Sequence, residues 1–479
     1  MADTYENYVG GEWTDSSTGE TFENRNPADP DDVIGTFPDS AGEDAETAVA
    51  AANDAAAEWA AMPGPERGSI LREAAKILDD RYDELVELLV REEGKTPAEA
   101  GEVQRAIDIF YYYAEKARDL GGDRKRSSAA DTDLYTVQEP LGVVGLITPW
   151  NYPIAIPAWK GAPALAAGNA VVIKPAPEAP AVAHEIAKAL DEAGLPDGVL
   201  NVVNGYADPA ATLVGHDDVD AISFTGSAEV GKQIYRDATA AGQRAQTEMG
   251  GKNPTVVTDS ADVEEAASIV AGGAFGVTGQ ACTATSRAIV HEDVYDDFVD
   301  AVVAEAESIE VGPSLDGFDM GPQVSADERD ASLEYIEIAA DEGATLATGG
   351  GVPDGLEDGH FVEPTVFTDV EPDMRIAQEE VFGPVLAVIP VSSYEEGVAV
   401  ANDVEYGLAS SVVTDDHTEA KSFVDDAEAG VVKINEATTG LELHVPFGGF
   451  KDSSSETWRE QGDAGLDFYS ITKTVYENY

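Results

Sequence analysis

Basic residues are scarce in this sequence. Its 479 residues include 28 Lys and Arg against 93 Asp and Glu, a formal net charge of −65. Such an excess repels a phosphate backbone, so nucleic acid is not an expected partner. The carboxylates recur along every predicted helix, as in AGEDAETAVAAANDAAAEWA, and form no single patch. A surface of that kind repels itself unless counter-ions are concentrated, which points to a salt-loaded cytoplasm. Cysteine is scarcer still, with Cys282 alone in the chain. One thiol excludes an intramolecular disulfide and a Cys-rich metal site, and no metal is expected. The start, MADTYENY, lacks the basic and apolar regions of a signal peptide, so a cytoplasmic location is expected. Long apolar runs are also missing. The nearest approach, residues 141 to 173, is broken by Pro149, Pro153, Pro157, Pro163, Asn151 and Lys160. It reads as buried strands and turns, with no membrane partner.

What is present is enough apolar material, 43% of residues, for a globular protein, on a chain too long for one core. Residues 1 to 40, rich in Gly, Asp, Asn and Pro, suggest hairpins at a domain edge. Helical spacing follows over 43–61 and 64–120, including SILREAAKILDDRYDELVELLVREEG with its terminal Gly94. From 141 the pattern alternates. The strand-like runs LGVVGLIT, NAVVIKP, VLNVVNG and DAISFTGS are separated by helical segments, the signature of β-α-β units and a parallel sheet. NPTVVTD opens a second series, with a helix over 262–275, the Cys282 loop, strand SRAIVH, a helix over 293–308, and strands FVEPTVFTDV and GVVKINE. The expected fold class is α/β, with two such domains in succession.

Four local features carry chemistry. In GVTGQACTATSR the thiol of Cys282 sits in a loop of Gly, Thr and Ala that enters a strand. A lone cysteine is commonly a small buried hydrophobe; here the polar, turn-prone approach fits equally an accessible, activated nucleophile. The six histidines (His184, His216, His291, His360, His417 and His444) advertise no partner base for it. AISFTGSAEVGKQI places Gly226 and Gly231 at a strand-to-helix turn, where a diphosphate can approach the backbone. It misses the P-loop pattern because Gln233 stands where a hydroxyl is required. In TEMGGKNP, Glu248 precedes a Gly-Gly turn, but in a chain this acidic such a residue by itself reads as a surface acid. In TPWNYP, Asn151 either satisfies its own turn or offers an NH₂ donor to a developing oxyanion.

Taken in order, TPWNYP, KGAPALAAGNAVVIKPA, FTGSAEVGK, EMGGKNP, GQACTATSR, EEVFGPVLAV, EYGLASSV and PFGGFKDSS resemble the aldehyde dehydrogenase superfamily over nearly the whole chain. The resemblance implies Cys282 as nucleophile, Glu248 as general base, and Asn151 with the Cys282 N–H as oxyanion donors. For the cofactor it implies Lys174 at the adenosine ribose, Trp150, Gly226, Ser227 and Gly231 along the dinucleotide, and Glu380 with Phe382 at the nicotinamide end. It implies a Rossmann-like cofactor domain (1–121 and 141–250), an α/β catalytic domain (251–447), and a small β oligomerisation element (122–140 and 448–479) in a homodimer or homotetramer. The reaction expected is oxidation of a small aldehyde to a carboxylic acid through a thiohemiacetal and thioester. In KPAPEAP, Pro177 occupies the position where NAD-preferring members carry a ribose-binding Glu, with Glu178 displaced by one. NADP is therefore favoured over NAD, unless the loop shifts and Glu178 takes that role. The block from KINEATTG to SITKTVY, residues 433–476, resembles the branch that oxidises 2,5-dioxopentanoate in sugar-acid breakdown. Succinic semialdehyde, glyceraldehyde or another small aldehyde is the alternative. Arg105 and Arg287 are candidates for a substrate carboxylate or for structural roles, because Trp159 stands where related enzymes carry an Arg. The rivals are an acylating dehydrogenase using coenzyme A, disfavoured by Glu248, a thiol hydrolase, and a non-catalytic dinucleotide-binding protein.

Overall fold

A computed structural model describes residues 3–479. Among these residues the strands form two seven-stranded sheets and three smaller ones. In the first large sheet the order is Arg244–Glu248, Ala221–Thr225, Val143–Ile147, Ala170–Lys174 and Leu200–Val202, all parallel. The hairpin Asn7–Val9 and Glu12–Thr14 adds an antiparallel edge. The apolar runs are buried on both faces because helices cover both sides, and the cores around Trp59, Leu146 and Leu165 and around Val49, Val172 and Phe224 lie between sheet and helices. Val143–Ile147 lies between Ala170–Lys174 and Ala221–Thr225. The chain thus runs outward first to one side of it and then to the other. That reversal opens a crevice beyond the carboxyl ends of the strands, where α/β sheets bind ligands.

The second large sheet runs Thr345–Thr348, Thr365–Thr368, Val385–Val391, Thr285–His291, Asn253–Val257, Ala409–Val413 and Val431–Ile434, with only the first of these antiparallel. Ser470–Asn478, Thr132–Pro140 and Arg124–Arg126 make a separate antiparallel arm. Between that arm and the second sheet the chain returns to the first domain. The helix Gly462–Phe468 packs on Ala155–Ala167, and Ser454 bridges to Glu248.

Two local outcomes differ from the periodicity. The run beginning at Ser69 forms two helices, Gly64–Asp80 and Tyr82–Glu93, with a break at Arg81 (φ −104°, ψ 10°), and the second ends on left-handed Gly94 (φ 94°). The proline-rich stretch expected as strands and turns contains a helix, Ala155–Ala167, buried along its entire length. Pro157 falls in its first turn, where no N–H is needed, and only Pro163 interrupts the interior ladder. A helix buried on every face shows no 3.6-residue alternation, so periodicity could not reveal it. Among the described residues no helix is long and apolar enough to cross a membrane.

Candidate active site

The crevice at the first sheet holds two joined cavities. One, of about 300 Å³, is walled by Trp150, Asn151, Cys282, Glu380 and Phe382. The other, of about 600 Å³, reaches Lys174, Pro177 and Tyr206. Pro149, Trp150, Thr225, Gly226 and Ser227 line both, making one groove from Lys174 to the thiol.

Each wall residue is placed by an element end. Cys282 precedes the strand Thr285–His291 and follows a turn in which Val277 (φ 54°) and Thr278 (φ 55°) adopt left-handed backbone. Such conformations cost β-branched residues energy and persist only when the surroundings enforce them. Here Glu99 accepts from the Val277 N–H at 2.5 Å, and the Thr278 hydroxyl donates to the Gly321 carbonyl at 3.2 Å. Downstream, the Asn253 amide donates to the carbonyls of Cys282 (2.9 Å) and Ala284 (2.8 Å). Burial, followed by the carboxylates of Glu380, Glu248 and Glu460, pushes the thiol up to about 12. These surroundings favour the thiol over the thiolate.

Asn151 follows the end of the central strand and is buried, its Nδ2 donating to the Gln280 carbonyl at 2.9 Å. An amide carries two N–H bonds, so one remains for an oxygen beside Cys282. Glu248 ends the last strand of the first sheet. Its carboxylate is turned away from the cavity wall, accepting from the Gly449 N–H (3.1 Å) and the Ser454 hydroxyl (3.0 Å). Burial and the neighbouring Glu460 hold it protonated well above the usual carboxylate range, against the lowering effect of those two donors. Glu380 lies on the Gly250–Gly251 turn, where a side chain at 250 would collide with its carboxylate, and accepts from the Gly251 N–H at 2.9 Å. Burial raises it to about 7. Phe382, in left-handed backbone (φ 58°), meets the Trp150 ring edge to face at 5.4 Å.

The groove also fits a dinucleotide on its own terms. Ser227 caps the 13-residue helix Ala228–Ala240 without spending its side chain on it, leaving the helix N-terminus open to the groove. Lys174, buried at the other end, is lowered by burial to about 8, with Glu178 only partly offsetting this. A cationic group held in a low-dielectric wall favours an anionic or hydroxyl-rich ligand. Gly231 is placed differently from the other candidates. It lies one turn into the helix, outside both cavity walls, and an added Cβ would meet Met249 Sδ at 2.5 Å. Its part is close packing of the helix on the sheet.

Arg287 gives its donors to the carbonyls of Lys252, Val400 and Ala401. Arg105 spends its own on the Leu441 carbonyl and on Gln461 Oε1, the latter at 3.1 Å. Sequence reading did not single out Asn253, Ser454, Gly449 or Glu99. Asn253 and Ser454 lie inside blocks whose resemblance was noted, but what they touch depends on contacts 29 and 206 residues away along the chain.

Fold and groove together fit a nucleotide-dependent oxidoreductase, with the thiol of Cys282 in the groove wall. Residues 13–475 match the aldehyde dehydrogenase family, and the chain belongs to that family of NAD(P)-dependent aldehyde dehydrogenases. It is 66% identical to an alpha-ketoglutarate semialdehyde dehydrogenase of Haloferax volcanii, with all of both chains covered. It is 43% identical to a 2,5-dioxopentanoate dehydrogenase of Saccharolobus solfataricus, over 96% of this chain and 97% of that one. The crystal structure of betaine aldehyde dehydrogenase from Staphylococcus aureus in complex with NAD+ superposes with a TM-score of 0.96 at 36% identity, covering 99% of this chain and 94% of that one.

Proposed function

We propose that this enzyme oxidises 2,5-dioxopentanoate to 2-oxoglutarate, with Cys282 as nucleophile, Asn151 as oxyanion donor and Glu248 as general base. The observation that carries the chemistry is the shared cavity: the Cys282 thiol and the Asn151 amide form one wall of a groove that runs to Lys174. The substrate rests on the names of the relatives in Haloferax volcanii and Saccharolobus solfataricus. The Cys282 sulfur, deprotonated to the thiolate, adds to the aldehyde carbon, and the carbonyl oxygen, now carrying the negative charge, is held by Asn151 Nδ2 and the Cys282 N–H. A dinucleotide in the groove supplies the hydride acceptor, so loss of the aldehyde hydrogen leaves a thioester on Cys282. Glu248, once deprotonated and swung off Gly449 and Ser454, takes a proton from water. That water attacks the thioester carbon, releasing the carboxylic acid and the Cys282 sulfur.

Lys174, Trp150, Gly226 and Ser227 hold the dinucleotide, with Glu380 and Phe382 at its reacting end. NADP is the favoured form. Pro177 lines both the groove beside Lys174 and a neighbouring cavity that takes in Glu178 and Asn24, and position 177 itself offers no carboxylate to oppose a 2′-phosphate. Residues 1–121 with 141–250, and 251–447, form the cofactor and catalytic domains. The arm 122–140 with the strand of 448–479 mediates a homodimer or homotetramer, in keeping with the exposed edge strands Ser470–Asn478 and Val431–Ile434. The enzyme works in a salt-rich cytoplasm.

The test is the initial rate of NADPH and NADH formation in high potassium chloride with 2,5-dioxopentanoate, succinic semialdehyde, glyceraldehyde and betaine aldehyde. The reading requires the highest kcat/KM with 2,5-dioxopentanoate. A better rate with another aldehyde overturns the substrate, and no reduction of either nucleotide by the folded protein overturns the chemistry.

A further inference from the structure

The segment EEGKTPAEAGEVQ, residues 92–104, contributes nothing to the walls of either cavity, yet it touches both loops that carry the chemistry. Lys95 is fully buried. Its ammonium pairs with Glu102 and also donates to the backbone carbonyl of Asn151, while lying 4.0 Å over the ring of Tyr152. The second oxygen of Glu102 accepts from the N–H groups of Ile154 (3.3 Å) and Ala155 (3.2 Å). These open the buried helix Ala155–Ala167, whose N-cap residue, Ile154, has no side-chain acceptor to offer. A lysine and a glutamate thus grip the Asn151 turn at both its carbonyl and its following amides. Burial lowers the ammonium, but Glu102 and then Glu93 more than offset this and hold it charged above the ordinary lysine range. Burial raises Glu93, 3.9 Å from Lys95 Nζ, well above the usual carboxylate range, with Lys95 opposing this, and among the described residues neither of its carboxyl oxygens has a hydrogen-bond partner. The Lys95 ammonium and both carboxyl oxygens of Glu102 are thus committed to this turn.

A buried ion pair adds little stability over a well-packed apolar pair, because desolvation consumes most of the attraction. What it adds is fixed geometry. Asn151 has its backbone carbonyl on Lys95 and one amide hydrogen on the Gln280 carbonyl. Its second amide hydrogen is left uncommitted, and Asn151 lines the same cavity as Cys282. We propose that Lys95 and Glu102 are positioning residues for the oxyanion donor. They touch neither substrate nor cofactor, and they act by holding the turn that aims the Asn151 amide. The inference rests on the proposed role of Asn151.

The experiment is a double-mutant cycle in the full-length enzyme. Lys95→Met and Glu102→Gln are each combined with Asn151→Ala, and aldehyde oxidation, cofactor-independent ester hydrolysis, NADPH affinity and melting temperature are read for every variant. A displaced donor costs up to about a hundredfold in rate. Lys95→Met is therefore expected to lower kcat by about tenfold to a hundredfold for both oxidation and ester hydrolysis, with NADPH affinity within about twofold of the parent. In the Asn151→Ala background the same substitution should change kcat by less than about twofold, because the donor it aims is gone. Lys95→Arg, which keeps a cationic donor, should restore part of the rate. Glu102→Gln keeps the side chain's length and an acceptor for the helix amides, and decides the matter if Lys95→Met fails to fold. An equal fold loss with and without Asn151 overturns the proposal, as does a fall in melting temperature with kcat unchanged. Failure of Asn151→Ala alone to slow ester hydrolysis would instead remove the role of Asn151 itself, and the two failures are read from different variants.

Discussion

Replacing Asn151 by Ala separates the chemical part of the site from its architecture. The side chain is buried, and its Nδ2 lies 2.9 Å from the Gln280 carbonyl, two residues before the thiol. Two losses follow, with different readouts. Removing one oxyanion donor costs about 2.7–4 kcal/mol of transition-state stabilisation, or about 10² to 10³ in kcat, because the Cys282 N–H remains to hold the oxygen alone. Leaving the Gln280 carbonyl without this donor costs about 1–3 kcal/mol of folding stability. The melting temperature should therefore fall by a few degrees while the enzyme stays folded at assay temperature. Both dehydrogenation and ester hydrolysis pass through an oxyanion at the same place, so their rates should drop in parallel with saturating substrate. Affinity for NADPH, followed by fluorescence, should hold within about twofold. Asn151→Asp supplies the control, since it keeps the volume and replaces the donor by an acceptor. A kcat within about threefold of the parent, or a fall only in proportion to the unfolded fraction, would refute the reasoning.

Ser454→Ala removes a donor that favours ionised Glu248, so the carboxyl should titrate at still higher pH. Because the base works deprotonated, kcat near neutrality should fall and recover as pH rises, and an unshifted acid limb of the pH–rate profile would count against Glu248. Pro177→Glu places a carboxylate in the groove near Lys174. At a separation of about 5 Å and an effective dielectric of about 20, one pair of charges repels by about 3 kcal/mol, which molar salt with a screening length of about 3 Å reduces strongly. The ratio of kcat/KM for NADP to that for NAD should fall by about tenfold, and an unchanged ratio would undo the assignment of cofactor preference. The net charge of −65 predicts that diluting salt lowers activity and helical circular dichroism together; signals that persist at low salt would contradict it.

The local code was legible where it is one-dimensional. Strand-like runs separated by helical segments announced the parallel sheets, Gly94 marked a helix end, and the polar composition of the Cys282 loop brought that cysteine forward as a candidate. Ordered motifs brought Asn151, Glu248 and Cys282 forward as a set, and two of them, Asn151 and Cys282, share a cavity wall. The helix Ala155–Ala167 was misread because burial on all sides erases the periodic signal that marks an amphipathic helix. Gly231 was placed along the dinucleotide by spacing and by resemblance, whereas the direction its missing Cβ would take, into Met249, depends on how the helix docks.

Other features were beyond any local reading. The turned-away carboxylate of Glu248 depends on Gly449 and Ser454, about two hundred residues further along. The grip of Lys95 and Glu102 on the Asn151 turn depends on a segment some fifty residues earlier. The amino-acid sequence by itself determined which chemical groups the protein possesses, its acidic surface and the order of its strands and helices, because these follow from residue type and short-range period. Only the tertiary structure decided which groups meet, which carboxyls are pushed toward the protonated form and which backbone is held in strain. Those depend on desolvation and on contacts between residues far apart in the chain.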